Sequence, residues 1–337
     1  MSSLVLIGVA LTLVAGVMSG NCMLPMKFMR NWRWENAWFV FSIVSLVLIP
    51  WLLAIFLVQD LGSVYSRLML HQLFIPFALG AGWGIAQILF GISVSRLGLG
   101  LAYAIIVGLG AVLGTLVPLL ALQRQVANGK SMALVFLGVA VMVTGIVLCS
   151  CGGQIRERVT DSESKGPIRQ GYGMALLLAV VCGVMAPMLN YSFAFGQDIA
   201  KEAVAVGNTS IHAAYAVWPI ALAGGFVPNI AYAVFLLIRN RSWRNFGFVA
   251  PDLSWSVLMG ILWMGAFALY GMSSIYLGVL GTSIGWGLLQ IFMIMTATLA
   301  GVLTGEWRQA PRGAVIFLGA GLLCLTLATV FLAMGNA

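Results

Sequence analysis

Charged residues are so sparse in this sequence that their positions divide it. Cutting the 337 residues at every Asp, Glu, Lys and Arg leaves uncharged runs at 1–26, 36–59, 68–95, 97–123, 131–155, 170–197, 203–238, 253–305 and 313–337. Each can cross a bilayer as a helix, which takes about 20 residues. The run 253–305 is long enough for two spans, with a break at Gly278 to Gly281. The fold expected is therefore an all-α integral membrane protein with ten transmembrane helices. The runs are apolar throughout and do not alternate every second residue, so they read as helices and not as barrel strands. Composition agrees, because 61% hydrophobic and 8% charged residues cannot clothe a water-soluble globule, whose charged fraction is roughly a quarter. The first run has no positive residues ahead of it and leads directly into the repeat described next, so it reads as a span and not a cleaved signal.

The stretch WGIAQILFGISVSRLG at 83–98 returns as WMGAFALYGMSSIYLG at 263–278. Trp83, Gly91 and Gly98 meet Trp263, Gly271 and Gly278 at one offset of 180, and Phe90 meets Tyr270. A second echo, VFLG at 135–138 and IFLG at 316–319, has offset 181. Two copies of one unit are expected: residues 1–155, a cytoplasmic linker at 156–170, and residues 171–337. Five helices per copy is an odd number, so the second copy enters the membrane in the opposite sense to the first. Such inverted repeats characterise secondary transporters, whose two halves exchange roles around a midplane site. The alternative is a duplicated scaffold that transports nothing.

Loop charge sets the orientation. One side collects 13 Lys and Arg residues and the other only 4, namely Arg67, Arg124, Lys130 and Lys201. The richer side is expected to be cytoplasmic, with both termini periplasmic. The formal charge of +8 is this bias, so no nucleic-acid partner is implied. No G-x-x-x-x-G-K-[ST] loop occurs, and GLGAVLG at 108–114 lacks the lysine, so ATP is not expected to drive the protein directly. The five cysteines, Cys22, Cys149, Cys151, Cys182 and Cys324, lie in or beside apolar runs and are expected to pack as small hydrophobes. No metal or cofactor is called for. Glycines four apart (Gly16 and Gly20, Gly80 and Gly84, Gly110 and Gly114, Gly281 and Gly285, Gly301 and Gly305) suit close helix contact in lipid.

Three stretches carry a resemblance to a known family: NWRWENAWFVFSIVSLVLIPW (31–51), WGIAQILFGISVSRLGLG (83–100) and FLGVAVMVTGIVLCSCGGQIRER (136–158). They are similar to the L-rhamnose/proton symporter family of the drug/metabolite transporter superfamily. TGEWRQAPRGAVIFLGAGLL (304–322) resembles the superfamily's Gly-Glu at the end of the ninth helix followed by a glycine-rich tenth. The resemblance covers nearly the whole chain and implies a ten-helix, two-halves fold and import of L-rhamnose with protons across the cytoplasmic membrane. A drug or metabolite exporter of the same superfamily is the alternative. A cationic-drug exporter would be expected to carry a membrane-embedded carboxylate, and no Asp or Glu lies at mid-span here. An intramembrane enzyme is a further alternative, with only His71 and His212 to serve it.

A neutral sugar needs amides for its hydroxyls and aromatic faces for its C–H surface. Trp83, Gln87 and Phe90/Gly91 share one helix face, and Trp263, Phe267 and Tyr270/Gly271 the equivalent face of the eighth helix. Each tryptophan is expected near mid-bilayer, with a close-packing glycine two turns on. Gln87 is the polar exception, and an amide in lipid needs partners. Asn190 and Tyr191 in the sixth helix, Asn229 in the seventh and Gln290 in the ninth join the substrate candidates, with Asn21 as the first helix's echo of Asn190. Trp32, Trp34, Trp38, Trp51, Trp243, Trp255 and Trp307 are expected to form interfacial belts. Proton coupling rests on the resemblance. Its candidate carriers are His212, which opens the seventh helix, and Asp198 and Glu202 just before it; sodium is the other candidate ion. Glu35 and Glu306 are alternatives that adjoin Arg33 and Arg308 and read more simply as interfacial partners. The sequence leaves open whether two copies form a homodimer.

Overall fold

The computed structural model describes residues 3–123, 129–160, 172–247 and 250–335. Among them, ten helices are long and apolar enough to cross a membrane. These are α1 Ser3–Phe28, α2 Trp34–Leu57, α3 Leu70–Leu97, α4 Leu101–Gln123, α5 Gly129–Glu157, α6 Tyr172–Ala205, α7 Ser210–Arg239, α8 Pro251–Tyr276, α9 Gly278–Leu303 and α10 Arg312–Gly335. The double run divides where expected, between Tyr276 and Gly278. Of the expected linker 156–170, residues 161–170 lie outside the described residues.

Helix ends follow local chemistry. Gly98 and Gly278, equivalent in the repeated frame, both have positive φ, at 83° and 76°, a conformation that costs glycine nothing and stops a helix. The last glycine of the frame therefore ends α3 and α8 in the same way. α6 is broken at Ala186–Pro187 into Tyr172–Met185 and Met188–Phe195, because Pro187 brings no N–H to the ladder. Its last piece, Gln197–Ala205, is amphipathic. α2 contains a π-helical turn at Val44–Leu48, one residue wider than an α-turn.

Polar contacts fix which ends lie together. Glu306, after α9, bridges Lys27 at the end of α1 and Arg156 at the end of α5. Asn36, at the start of α2, donates to the Ser242 carbonyl beyond α7. Asp252, in the first turn of α8, accepts from the backbone N–H groups of Arg30, Asn31 and Trp32 at 3.1, 2.8 and 2.9 Å. This is the basic end of the bundle. At the opposite end, Asn208 exchanges hydrogen bonds with the Gln59 backbone, Arg67 pairs with Glu202, and Gln123 bonds both Thr282 and Ser283.

In lipid there is little hydrophobic gain in bringing helices together, so close contact and hydrogen bonding hold them. α5 and α10 meet along a seam seven residues apart in each helix. Gly138 faces Leu332, Gly145 faces Leu325 and Gly321, and Gly152 faces Ala314 and Leu318. Gly16 and Gly20 of α1 lie on Phe292 and Met293 of α9, and Gly80 and Gly84 of α3 on Ala221 and Gly225 of α7. Gly114 gives room to the Trp286 indole. Gly305 differs from the expected pattern, since its φ of 82° puts it in the turn after α9 and not in a helix seam. Gly91 differs too, because nothing stands within 4 Å of where its Cβ would be.

Candidate transport pathway

Aromatic rings run through the middle of the bundle. Trp83 stacks on Trp263 with centroids 5.2 Å apart at 27°, and Trp263 meets Phe267 at 4.4 Å. Phe267 leads to Tyr270 at 6.4 Å, and Tyr270 to Trp286 at 6.0 Å. Toward the opposite end, Trp218 stacks on Phe193 at 4.7 Å and 10° and meets Phe267 edge-on at 5.8 Å. Trp218, Phe193 and Tyr270 are fully buried, and a cavity of about 300 Å³ lies at this end beside Phe193, lined also by Gln197, Lys201, Ser210 and Ile275.

The basic end holds a cavity as well. A cavity of about 250 Å³ lies between Tyr103 of α4, Cys149, Ser150 and Arg156 of α5, Thr298 and Gly301 of α9, and Glu306 with Trp307. Arg156 lies over the Trp307 ring at 4.8 Å. The Lys27 ammonium holds the Glu306 carboxyl below the usual carboxylate range against a smaller opposing effect of burial, with Arg156 assisting. Inside the cavity, Ile294, Thr298 and Gly301 continue one face of α9, and Gln290 stands one turn deeper on that face. On α3, Gln87 stands one turn deeper than Phe90, whose ring meets the cavity-lining Tyr103 at 6.4 Å. Gln87 and Gln290 are both half-buried, and neither amide has a hydrogen-bond partner among the described residues.

The other polar candidates already have partners. Asn190, fully buried, donates to the carbonyls of Gly114 at 2.8 Å and Thr282 at 3.0 Å and accepts from the Tyr270 hydroxyl. One amide thus ties the second piece of α6 to α4, α8 and α9. Asn229 accepts from the Trp38 indole at 3.0 Å and donates to the Gly225 carbonyl at 2.8 Å. Asn21 donates back to the Val17 carbonyl at 2.8 Å. Tyr191 is half-buried beside Phe195, 6.5 Å away.

The charged candidates stand at the two ends. His212 is exposed on the first turn of α7, where its backbone N–H is capped by Thr209. Asp198 pairs with Lys201 at 2.9 Å, and Glu202 with Arg67 at 3.5 Å. The amphipathic piece that carries these acids packs on that first turn. Glu35, only 4% exposed, lies at the basic end, where its carboxylate accepts from Ser242 at 2.7 Å and Asn240 at 3.0 Å. Of the expected tryptophan belt, Trp34 and Trp243 are exposed, but Trp32 and Trp38 are buried. Trp38 is held inside by its bond to Asn229 and its stack on Trp34 at 4.9 Å. Asp252 escaped the sequence reading, because a carboxylate at the edge of a loop gives no sign of the three N–H groups that close on it.

Comparison with known proteins covers the whole chain. The family model described as L-rhamnose-proton symport protein (RhaT) matches residues 1–337. Similar relatives include the L-rhamnose-proton symporter of Yersinia pestis (strain Pestoides F), 26% identical over 347 residues and covering 100% of both chains. That of Cronobacter sakazakii (strain ATCC BAA-894) is 27% identical over 354 residues, covering 100% of this chain and 99% of the relative. With ten apolar spans and a family match from end to end, this chain is a multi-pass inner-membrane protein that belongs to the L-rhamnose-proton symport protein family.

Proposed function

We propose that the protein imports L-rhamnose together with protons. The observation that carries this reading is the family match over residues 1–337, joined by relatives named as L-rhamnose-proton symporters along their full length. The site favoured for the sugar lies around Gln87 and Gln290, whose amides are unpaired among the described residues, beside the Trp83–Trp263 stack. Amides for hydroxyls and aromatic faces for C–H surface suit a deoxy sugar, which presents hydroxyls on one side and a methyl on another. Asn190, Tyr270 and Asn229 serve the same site by fixing the helices that border it, and Tyr191 and Asn21 are candidates of lower rank.

The two-halves reading has support in the pairing of spans. Exchanging α1–α5 with α6–α10 carries the α3–α6 contact onto α8–α1, α4–α6 onto α9–α1, and α3–α7 onto α8–α2, all of which occur. The repeat-equivalent Trp83 and Trp263 stack on each other, as residues beside a two-fold axis would. In this reading the basic end is cytoplasmic, both termini are periplasmic, and the cavity beside Glu306 faces inward. For the coupling ion the reading keeps the outer cluster of His212, Asp198 and Glu202, ahead of Glu35 at the inner end. The test is transport in proteoliposomes. L-rhamnose counterflow is expected, with uphill uptake driven by an inward proton gradient and unaffected by sodium. His212→Gln should keep counterflow and lose uphill uptake. Counterflow of another solute without rhamnose sinks the substrate, and sodium-driven uptake sinks the proton.

A further inference from the structure

We infer that Trp38 and Trp218 are the matched inner and outer gates of one transport cycle, each closing its side by seating its indole on a glycine of the neighbouring α-helix, Gly91 or Gly271. The inference rests on the two-halves reading above and adds to it the residues that alternate. Trp38 and Trp218 stand at the same offset of 180 as Trp83 and Trp263, and so do Gly91 and Gly271. Further along, Ala54, Phe56 and Leu57 of α2 match Ala233, Phe235 and Leu236 of α7 at offset 179. The lost residue is accounted for by the π-helical turn Val44–Leu48, which inserts one residue into α2 between the two stretches. Trp38 and Trp218 are thus structural equivalents.

The two pairs are in opposite states. Trp218 is closed. Its indole nitrogen stands 3.1 Å from where a Cβ on Gly271 would be, and its ring is covered by Phe193 and Phe267. A Cβ at 271 would press on the indole and force it to shift, so glycine here suits the seat. In the first half the same glycine has no occupant, since nothing lies within 4 Å of a Cβ at Gly91. Gly91 is seven residues from Gly84 and so falls on the same face of α3, the face that meets α7. Trp38 meanwhile is parked on α7 through its bond to Asn229. The Trp218 indole N–H is buried with no partner in this closed position, so closure holds it in a state that opening relieves. Exchanging the halves moves Trp38 off Asn229 onto Gly91, closing the inner side, and lifts Trp218 off Gly271, opening the outer.

The test is Gly91→Val. Valine fits the conformation described here, because the space is empty, but would block the Trp38 seat and hold the protein open inward. In proteoliposomes, exchange of the sugar that the wild-type protein carries is expected to fall tenfold or more. In a variant with Cys149 as its sole cysteine, alkylation of this cavity-lining thiol should be at least as fast as without the valine and should no longer respond to sugar. Gly319→Val, also into empty space, should exchange at the wild-type rate. Exchange by Gly91→Val within twofold of wild type overturns the gate, as does a loss accompanied by slower Cys149 alkylation, or an equal loss in Gly319→Val. If the wild-type protein exchanges a neutral sugar other than L-rhamnose, the substrate reading fails while the gate is tested with that sugar. The rate of Cys149 alkylation without sugar needs no substrate and reads the gate independently.

Discussion

An amide buried without a partner costs about 1–3 kcal/mol, and the amides of this chain divide by how they meet that cost. Asn190 and Asn229 meet it inside the protein: Asn190 has its oxygen and nitrogen occupied by neighbouring helices, and Asn229 accepts from Trp38 of α2 and donates to the Gly225 carbonyl of its own helix. Gln87 and Gln290 do not; both are half-buried, Gln290 one turn beyond the cavity-lining Ile294 on α9 and Gln87 one turn from Phe90 on α3. From sequence alone the four were alike, since each is a polar residue in an apolar run. What separates them is whether a carbonyl or an indole from another helix lies within reach, and that depends on packing across the bundle. Gln87→Ala and Gln290→Ala are therefore expected to weaken sugar binding by about 1 kcal/mol or more each, roughly fivefold in affinity, with membrane levels unchanged. Equilibrium binding of labelled L-rhamnose to purified protein measures it, and wild-type affinity in both variants removes them from the site. Asn190→Ala should instead lower stability, because it takes the donor from the Gly114 carbonyl and leaves the Tyr270 hydroxyl only the Thr282 carbonyl.

Among the elements, the starts of α2 and α8 are joined by the Asp252 carboxylate. It is fully buried and accepts three backbone N–H bonds from the turn between α1 and α2. Charge-assisted bonds of this kind are about twice as strong as neutral ones, and here they fix where α2 enters the membrane. Asp252→Ala leaves three donors unpaired and is expected to cost about 3 kcal/mol or more. Asp252→Asn keeps one acceptor oxygen and should recover part of the loss. Thermal unfolding of the purified protein in detergent orders the three, and equal midpoints would show that the turn finds other partners. The elements themselves were largely legible, because charges mark their ends and glycine stops α3 and α8. The break in α6 at Pro187 and the π-helical turn in α2 were not, since one proline or one extra residue in an apolar run has several outcomes and neighbouring helices select among them.

At the scale of the whole molecule, the ends assigned by contact carry the charge bias expected from the loops. The tips of α1, α5, α7 and α9 gather Lys27, Arg156, Arg239 and Arg308 at one end, and Arg67 and Lys201 lie at the other. Lys and Arg are retained on the cytoplasmic side as loops are threaded, so the bias sets orientation independently of how the helices later pack. It also determines which way the cavity beside Glu306 faces. If the basic end is cytoplasmic, the buried rings around Trp218 lie toward the outer side and the cavity beside Glu306 is where sugar leaves. If the orientation were reversed, the same cavity would be the entry and His212 would lie inside. Both termini are expected in the periplasm, so single cysteines placed near Ser2 and near Asn336 should react with an impermeant maleimide in intact cells. A cysteine in the turn at Asn31 should react only after lysis. Protection at both termini together with labelling at position 31 would invert the assignment, and with it the direction in which the cavity delivers its sugar.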